Sequence, residues 1–226
     1  MGLPPPLRRW VRVGVWLLPV WGLFLAASTV THQPDYKTDF EDYADYVTTA
    51  WFLVSHLVFS IFGAALAVIG GTALGLRLAT TAASRSAMWG MAAFSAAQVP
   101  IASVFGVAAF FQPAVGRAFE DGAEATARSI NEDVYGPAVF ATVGIGLLLM
   151  IIGAVLLGRS AATSGAAPRW AGWLFAVAVP VFAVAGFTVE ILQPIAGLAV
   201  AISGFGLARA ASISTVDNAS SSVTAA

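Results

Sequence analysis

The sequence predicts an all-α integral membrane protein, a bundle of six transmembrane helices arranged as three consecutive helical hairpins. Hydrophobic residues make up 58% of the 226 residues and charged residues only 10%, and the mean hydropathy is +0.82. A soluble domain carries about 25% charged residues, because it must cover its surface in water. Lipid solvates apolar side chains directly. The composition therefore favours a protein embedded in a bilayer.

Six apolar stretches account for the predicted helices. The first five are each close to the ~20 residues that a helix needs to cross a bilayer. The last two are separated only by a short segment around Glu190, and one helix through both would be about twice too long. We therefore expect a tight hairpin there. The stretches are residues 12–31, 50–75, 88–111, 137–158, 170–189 and 191–208.

Charge placement predicts the orientation of the bundle. Cytoplasmic loops of membrane proteins carry an excess of Lys and Arg. One end of the predicted helices has only Lys37, Arg117 and Arg128 beside most of the acidic residues. Both termini are therefore predicted to be cytoplasmic, with the acidic loops 32–49 and 112–136 outside. The other end carries Arg8, Arg9, Arg12, Arg77, Arg85, Arg159, Arg169 and Arg209.

Residue usage predicts the membrane in which the protein lies. Arginine far outnumbers lysine, and Ala, Gly and Val abound, a bias typical of GC-rich bacterial genomes. The predicted location is the bacterial cytoplasmic membrane. The first helix could instead be a secretory signal cleaved near Ala27, because Arg8-Arg9 precede an apolar run that ends in small residues. We favour a retained helix, since cleavage would remove the first unit of an internal repeat.

That repeat is built from Trp, an interior proline and a Gln-Pro pair. A tryptophan lies 23 residues before each of three Gln-Pro pairs, and 23 helical residues rise about 35 Å, enough to cross the hydrocarbon. Each Gln-Pro is predicted to end an odd-numbered helix, and each interior proline to kink it. The markers are Trp10 with Gln33, Trp89 with Gln112, and Trp170 with Gln193, and the interior prolines are Pro19, Pro100 and Pro180.

The repeat also predicts the domain organisation. Residues 1–209 form a single domain with hairpins over about 1–79, 80–160 and 161–209. The small polar segment 210–226 is predicted to be a disordered cytoplasmic tail.

In overall layout the chain resembles uncharacterised polytopic membrane proteins of actinobacteria, a resemblance that implies the six-helix layout and no activity. Mitochondrial carriers also consist of three hairpins with both termini inside. Their signature, Pro-x-acid-x-x-base at the end of each odd helix, is absent from this sequence.

The two acidic loops each contain a predicted helix. Thr38-x-x-Glu41 forms a capping box that predicts a helix beginning near residue 39, with an apolar face suited to the outer membrane interface. Glu124 and Arg128 predict an i,i+4 ion pair on a second short helix. The acidic residues could attract a cation or a basic partner. Their accumulation where positive charge is disfavoured explains them equally well, and no metal site is predicted.

Polar residues within the predicted spans are the candidate functional residues, because ionisable groups are costly there. We single out His56, Gln98, Glu190 and Gln193 as a candidate ligand, ion or proton site. The repeat places apolar residues at the positions equivalent to Glu190, so the hairpin architecture does not require this acid. The alternative is that Glu190 reaches the outer headgroups. His32 and His56 could also ligate a haem from adjacent helices.

The sequence shows no catalytic motif and predicts no cofactor. Its formal net charge of −1 argues against nucleic-acid partners. The favoured prediction is a non-enzymatic membrane module that binds or stabilises lipids, a membrane-protein partner or further copies of itself. The second is a small transporter or channel for a cation or small solute that uses Glu190, His56 and Gln98. The third is a haem- or quinone-linked redox subunit.

Overall fold

The all-α prediction is confirmed for residues 3–213, which are those that the computed structural model describes. All regular structure in this range is helical. The π-helical segment Ser55–Phe62 joins α4 to α5. The helices are α1 (Pro5–Val15), α2 (Leu17–Ser28), α3 (Phe40–Val47), α4 (Ala50–Val54), α5 (Gly63–Leu78), α6 (Ser84–Glu120), α7 (Glu124–Val134), α8 (Pro137–Thr163), α9 (Arg169–Ala185) and α10 (Leu192–Ile213).

Five helical segments within residues 3–213 are long and apolar enough to cross a membrane. The sixth apolar helix, α9, has only 17 residues and rises about 26 Å, slightly less than the ~30 Å of hydrocarbon. It stops short of residue 189 because the amides of Phe187 and Thr188 bond to carbonyls three residues back, which tightens the chain into a turn. The five segments are Pro5–Ser28, Ala50–Leu78, Ser84–Glu120, Pro137–Thr163 and Leu192–Ser212.

The apolar helices form a ring in chain order. α1 and α2 pack on α5, α5 on α6, α6 on α8, α8 on α9, α9 on α10, and α10 returns to α2. Small residues bring the first and last helices together, as small residues do in membrane bundles. A methyl group added at Gly22 would overlap the backbone of Ala201, and one added at Gly204 would lie 2.7 Å from the backbone nitrogen of Pro19.

The two ends of the ring differ in charge, and we name them accordingly. The arginine end carries Arg77, whose Nη2 donates to the carbonyl oxygens of Ala166 at 2.6 Å and Ala210 at 2.9 Å. This guanidinium ties the end of α5 to the α8–α9 loop and to α10. The acidic end carries α3 and α7.

The Gln-Pro pairs do not end the odd-numbered helices, so that prediction is wrong. α2 ends before Gln33 is reached, and α6 continues through Gln112-Pro113 to Glu120. Pro194 lies in the first turn of α10, where a missing N–H costs nothing because that group has no helical partner. Of the interior prolines, Pro19 follows the break between α1 and α2, whereas the other two lie within continuous helices.

The acidic end is a folded cap rather than two surface helices. α6 has 37 residues and rises about 55 Å, roughly 25 Å more than the hydrocarbon thickness. α3 and α7 pack against its projecting end. The apolar face of α3 that the sequence assigned to the membrane interface is buried there. The core of the cap consists of Phe40, Tyr43, Val47, Phe52, Ala108, Val115 and Ala127.

Two local predictions for the cap are corrected. Helix α3 begins at Phe40, as expected within one residue, but its cap is Asp39, whose carboxylate accepts from the amide of Asp42, rather than Thr38. The Arg128 guanidinium lies 4.4 Å from the ring centre of Phe40 and makes a cation–π contact, instead of the predicted i,i+4 pair.

The predicted tail lies largely outside the described residues. α10 continues to Ile213, so the helix extends a few residues beyond the predicted domain end at 209. Residues 214–226 are not described.

Candidate functional site

A cavity of about 340 Å³ lies inside the ring, in the half nearer the acidic end. Each of the six apolar segments contributes to its wall, including α9, and most of the lining is apolar. The lining side chains include Leu25 of α2, Ala64 of α5, Ile101 of α6, Leu147 of α8 and Phe182 of α9.

Three of the four candidate residues meet at this cavity. His56, Gln98 and Gln193 come from the π-helical segment, α6 and α10, and all three line it. Gln98 is buried, with 3% of its surface exposed. The structure therefore brings together polar groups that lie far apart in the sequence.

The fourth candidate, Glu190, lies in an adjoining space that we call the vestibule. The vestibule has a volume of about 430 Å³ and is lined by the α2–α3 loop and the α9–α10 turn. Ser28, Thr29, Ser55, His56 and Gln193 line both the vestibule and the cavity. The vestibule is thus the approach to the cavity from the acidic end.

Glu190 has a partner that the sequence did not suggest. Its Oε2 lies 2.7 Å from Nδ1 of His32, and this contact joins the α2–α3 loop to the α9–α10 turn across the vestibule. The two side chains are 60% and 69% exposed, so the pair is largely hydrated. Glu190 and His32 therefore line the vestibule and not the cavity, and Glu190 shares the vestibule with His56 and Gln193.

The surroundings of His56 determine which of its nitrogens is free. Its Nδ1 lies 2.9 Å from the carbonyl oxygen of Phe52 and 3.1 Å from the hydroxyl of Ser55. Ser55 donates its own proton to that same carbonyl, so both neighbours of Nδ1 can only accept. In neutral His56 the proton is therefore on Nδ1, and Nε2 is left as an acceptor.

The π-helical segment shapes this part of the wall. π-helical turns are rare and occur frequently at functional sites. Here the hydroxyl of Ser60 donates to the carbonyl of Ser55, five residues back. Ser55, His56 and Ser60 all line the cavity, so the widened turn places three polar side chains on its surface. No sequence signal predicts this element, because the segment contains neither proline nor glycine.

Each of the two glutamines donates one of its side-chain N–H groups to the backbone. Nε2 of Gln98 donates to the carbonyl of Phe94 at 3.2 Å, and Nε2 of Gln193 donates to that of Phe182 at 3.5 Å. A methyl group added at Gly186 would lie 2.6 Å from Nε2 of Gln193. The absence of a side chain at Gly186 therefore provides the space in which the Gln193 side chain packs against α9.

An aromatic cluster closes the cavity towards the arginine end. Trp21 of α2, Phe94 of α6 and Phe175 of α9 are at most 2% exposed. Their ring centres are 5.4 Å, 5.9 Å and 6.4 Å apart, within the range of favourable aromatic pairs. We call these three residues the aromatic floor. Trp21 also lines the cavity.

The repeat markers are only partly equivalent in the structure. Trp10, Trp89 and Trp170 are all exposed near the arginine end, and their place in an aromatic belt stays a prediction. Gln33 and Gln112 contact each other, and Nε2 of Gln33 donates to Oε1 of Gln112 at 3.5 Å. Gln193 instead lines the cavity.

Gln112 belongs to the cap. It is buried, and its Nε2 donates a hydrogen bond to the hydroxyl of Tyr135. Burial raises the pKa of Tyr135 to about 12, against the opposing effect of the Gln112 hydrogen bond. In the same cap the hydroxyl of Tyr43 donates to Oδ1 of Asn131 at 3.0 Å, and burial raises the pKa of this phenol as well. These glutamine and tyrosine contacts are structural rather than part of the cavity.

The apolar ring and its central cavity define an all-α protein whose helices suit a membrane. Within residues 3–213, no group of three or more His, Asp or Glu side chains is arranged to hold a metal ion. Comparisons with protein-family models, with curated proteins and with solved structures find no match.

Proposed function

We propose that the protein is a non-enzymatic membrane module of three helical hairpins that binds a small, mostly apolar molecule in the cavity at the centre of its ring. The cavity is entered through the vestibule. The observation that carries this proposal is that all six apolar segments line one cavity. Ligand sites in helical bundles lie between the helices and combine an apolar wall with a few polar groups.

The outer surface of the ring supports a position in the membrane. Val99 of α6, Phe110 of α6 and Ile145 of α8 are 71%, 67% and 58% exposed, and side chains of this kind are solvated by lipid rather than by water. The arginine distribution supports cytoplasmic termini with the acidic end outside. The residue usage supports a bacterial cytoplasmic membrane.

The proposal is tested by filling the cavity. Val143 of α8 lines it, whereas Ile145 of the same helix faces away and is 58% exposed. Val143→Trp adds bulk inside the ring, and Ile145→Trp adds the same bulk on the lipid side. Native mass spectrometry of protein extracted into lipid nanodiscs should detect a retained small molecule in wild type and in Ile145→Trp, and not in Val143→Trp.

Two other outcomes would contradict small-molecule binding. Wild-type protein without any retained small molecule would contradict occupancy of the cavity. A mass that corresponds to a stable complex with a second protein, unaffected by either substitution, would favour the partner-binding alternative.

A second candidate function, transport, is supported by the position of the cavity. The cavity lies inside the ring and is closed towards the arginine end by the aromatic floor. In a transporter, alternating access would open such a cavity first to one side of the membrane and then to the other. The chain has no cysteine, so a single cysteine can report access. In Ser60→Cys, an impermeant thiol reagent should react only from the acidic end in a fixed binding protein, and from both ends in a transporter.

Two exposed threonines provide controls for this labelling. Thr31→Cys lies at the acidic end and Thr80→Cys at the arginine end, so each should be labelled from one side only. Together they also test the predicted orientation. Reaction of both from the same side would contradict it.

A further inference from the structure

We infer that the ligand of the cavity is a small lipophilic amine in its ammonium form. Its apolar body occupies the cavity, and its charged head lies where the cavity meets the vestibule. This inference rests on the proposed function and adds the chemical class of the ligand.

The polar side chains His56, Gln98 and Gln193 offer the cavity more hydrogen-bond acceptors than free donors. His56 uses its Nδ1 proton on the Phe52 carbonyl, and Gln98 and Gln193 each use one of their two Nε2 protons, on the carbonyls of Phe94 and Phe182. These three side chains retain the imidazole Nε2 and two amide oxygens as acceptors, beside one N–H donor on each glutamine. A ligand that donates hydrogen bonds satisfies the His56 nitrogen and the amide oxygens, whereas a carboxylate has no proton to donate to these acceptors.

Aromatic rings line the same space. Trp21, Phe105, Phe182 and Phe187 come from α2, α6, α9 and the α9–α10 turn. Faces of aromatic rings attract cations, and most strongly where water is excluded. The lining therefore favours a cationic head over a neutral hydroxyl with the same apolar body.

The charges around the vestibule have the corresponding sign. Glu190 lines it directly, and the loops of the acidic end contain far more carboxylates than cations. Among the described residues, neither the cavity nor the vestibule is lined by Lys or Arg. The negative electrostatic potential of these carboxylates raises the local concentration of cations at the entrance and disfavours anions.

The position of the head follows from the cost of burying charge. An ammonium group without compensation is expensive in an apolar cavity. His56 and Gln193 line both spaces, so a head beside them keeps contact with the water of the vestibule and with the field of Glu190. The apolar body then extends past Gln98 towards Trp21.

Three probes with one apolar body test the assignment: 4-phenylbutylamine, 4-phenylbutanol and 4-phenylbutyrate. Their heads are an ammonium, a hydroxyl and a carboxylate. Binding is measured by calorimetry on protein in nanodiscs, and the specific part is that abolished by Val143→Trp and retained in Ile145→Trp. We expect the amine to bind roughly tenfold more tightly than the alcohol, with no specific binding of the carboxylate.

Glu190→Gln separates the charge contribution from the shape of the cavity. It should reduce the advantage of the amine over the alcohol to roughly threefold, and leave the affinity for the alcohol unchanged. An unchanged ratio in this variant would overturn the placement of the ammonium head.

The outcomes distinguish this inference from the proposed function. An alcohol or carboxylate that binds as tightly as the amine overturns the ammonium assignment and leaves the binding function standing. No specific binding of any of the three probes, together with no retained small molecule in native mass spectrometry, overturns both.

Discussion

The two halves of the ring are built from similar residues but differ in how closely their side chains pack. In the half nearer the arginine end, Phe94, Phe175 and Leu157 are completely buried in one continuous core. In the other half, the helices separate around a cavity of about 340 Å³, and a cap with its own core lies beyond it. The difference indicates that the packed half maintains the ring while the open half is free to carry a binding site.

Replacing the same residue type in each half should produce the largest contrast. Phe94 and Phe105 both lie on α6, but the first is fully buried and the second lines the cavity. Phe94→Ala should lower the free energy of unfolding by about 3–5 kcal/mol, because it leaves a void in a close-packed core. Phe105→Ala enlarges an existing space and should cost roughly half as much.

The measurement for this pair is unfolding in mixed micelles with increasing denaturing detergent. The labelling assay adds an independent test, because loss of the Phe94 ring opens the aromatic floor. Ser60→Cys should then react from the arginine end in the Phe94→Ala background only. Equal destabilisation by the two alanines would show that the halves are packed alike.

The cap should add a distinct dependence on alkaline pH. The pKa of Tyr135 is raised to about 12, against about 10 in an unfolded chain. The neutral phenol is thus favoured in the folded state, so this stabilisation is complete below pH 10 and is lost as the pH rises towards 12. The loss is on the order of 3 kcal/mol, and burial of Tyr43 acts in the same direction.

Tyr135→Phe provides the comparison for this pH dependence. The variant lacks the ionisable group, so its free energy of unfolding should fall less steeply between pH 10 and pH 12 than that of the wild type. Tyrosinate absorbance of the folded protein should also lose a step near pH 12. Identical slopes in the two proteins would contradict the assignment of the shift to Tyr135.

The membrane character of the chain could be predicted from the sequence, since hydropathy is a property of each segment alone. The cap could not, because it depends on α6 continuing through Pro113. Proline normally ends a helix, but here the contacts of α3 and α7 with α6 stabilise the continuation. The repeat pattern therefore predicts one role for all three Gln-Pro pairs, whereas in the structure they occupy a loop, a helix interior and a helix start.

The sequence is sufficient to predict which residues belong to the candidate site, but not how they are arranged in space. His56, Gln98 and Gln193 were identifiable as polar residues in apolar segments, and the structure gathers them at one cavity. The pairing of Glu190 with His32 depends on the length of α9. That helix ends at Ala185, so Glu190 lies in the α9–α10 turn, within reach of the α2–α3 loop. Only the tertiary structure specifies this contact.

The smallest effect is expected at the vestibule, where Glu190→Gln alters the hydrogen-bonded contact with His32 and removes the carboxylate charge. Both side chains are mostly exposed, and exposed pairs contribute about 0–1 kcal/mol because water and salt screen them. The free energy of unfolding should therefore change by less than about 1 kcal/mol, with His32→Asn as the matched variant on the other side of the pair. A loss comparable to that of Phe94→Ala would show that the vestibule contact maintains the ring. A small loss would leave the effect of Glu190 on amine binding free of any contribution from stability, so that the charge at the entrance can be assigned to ligand selection.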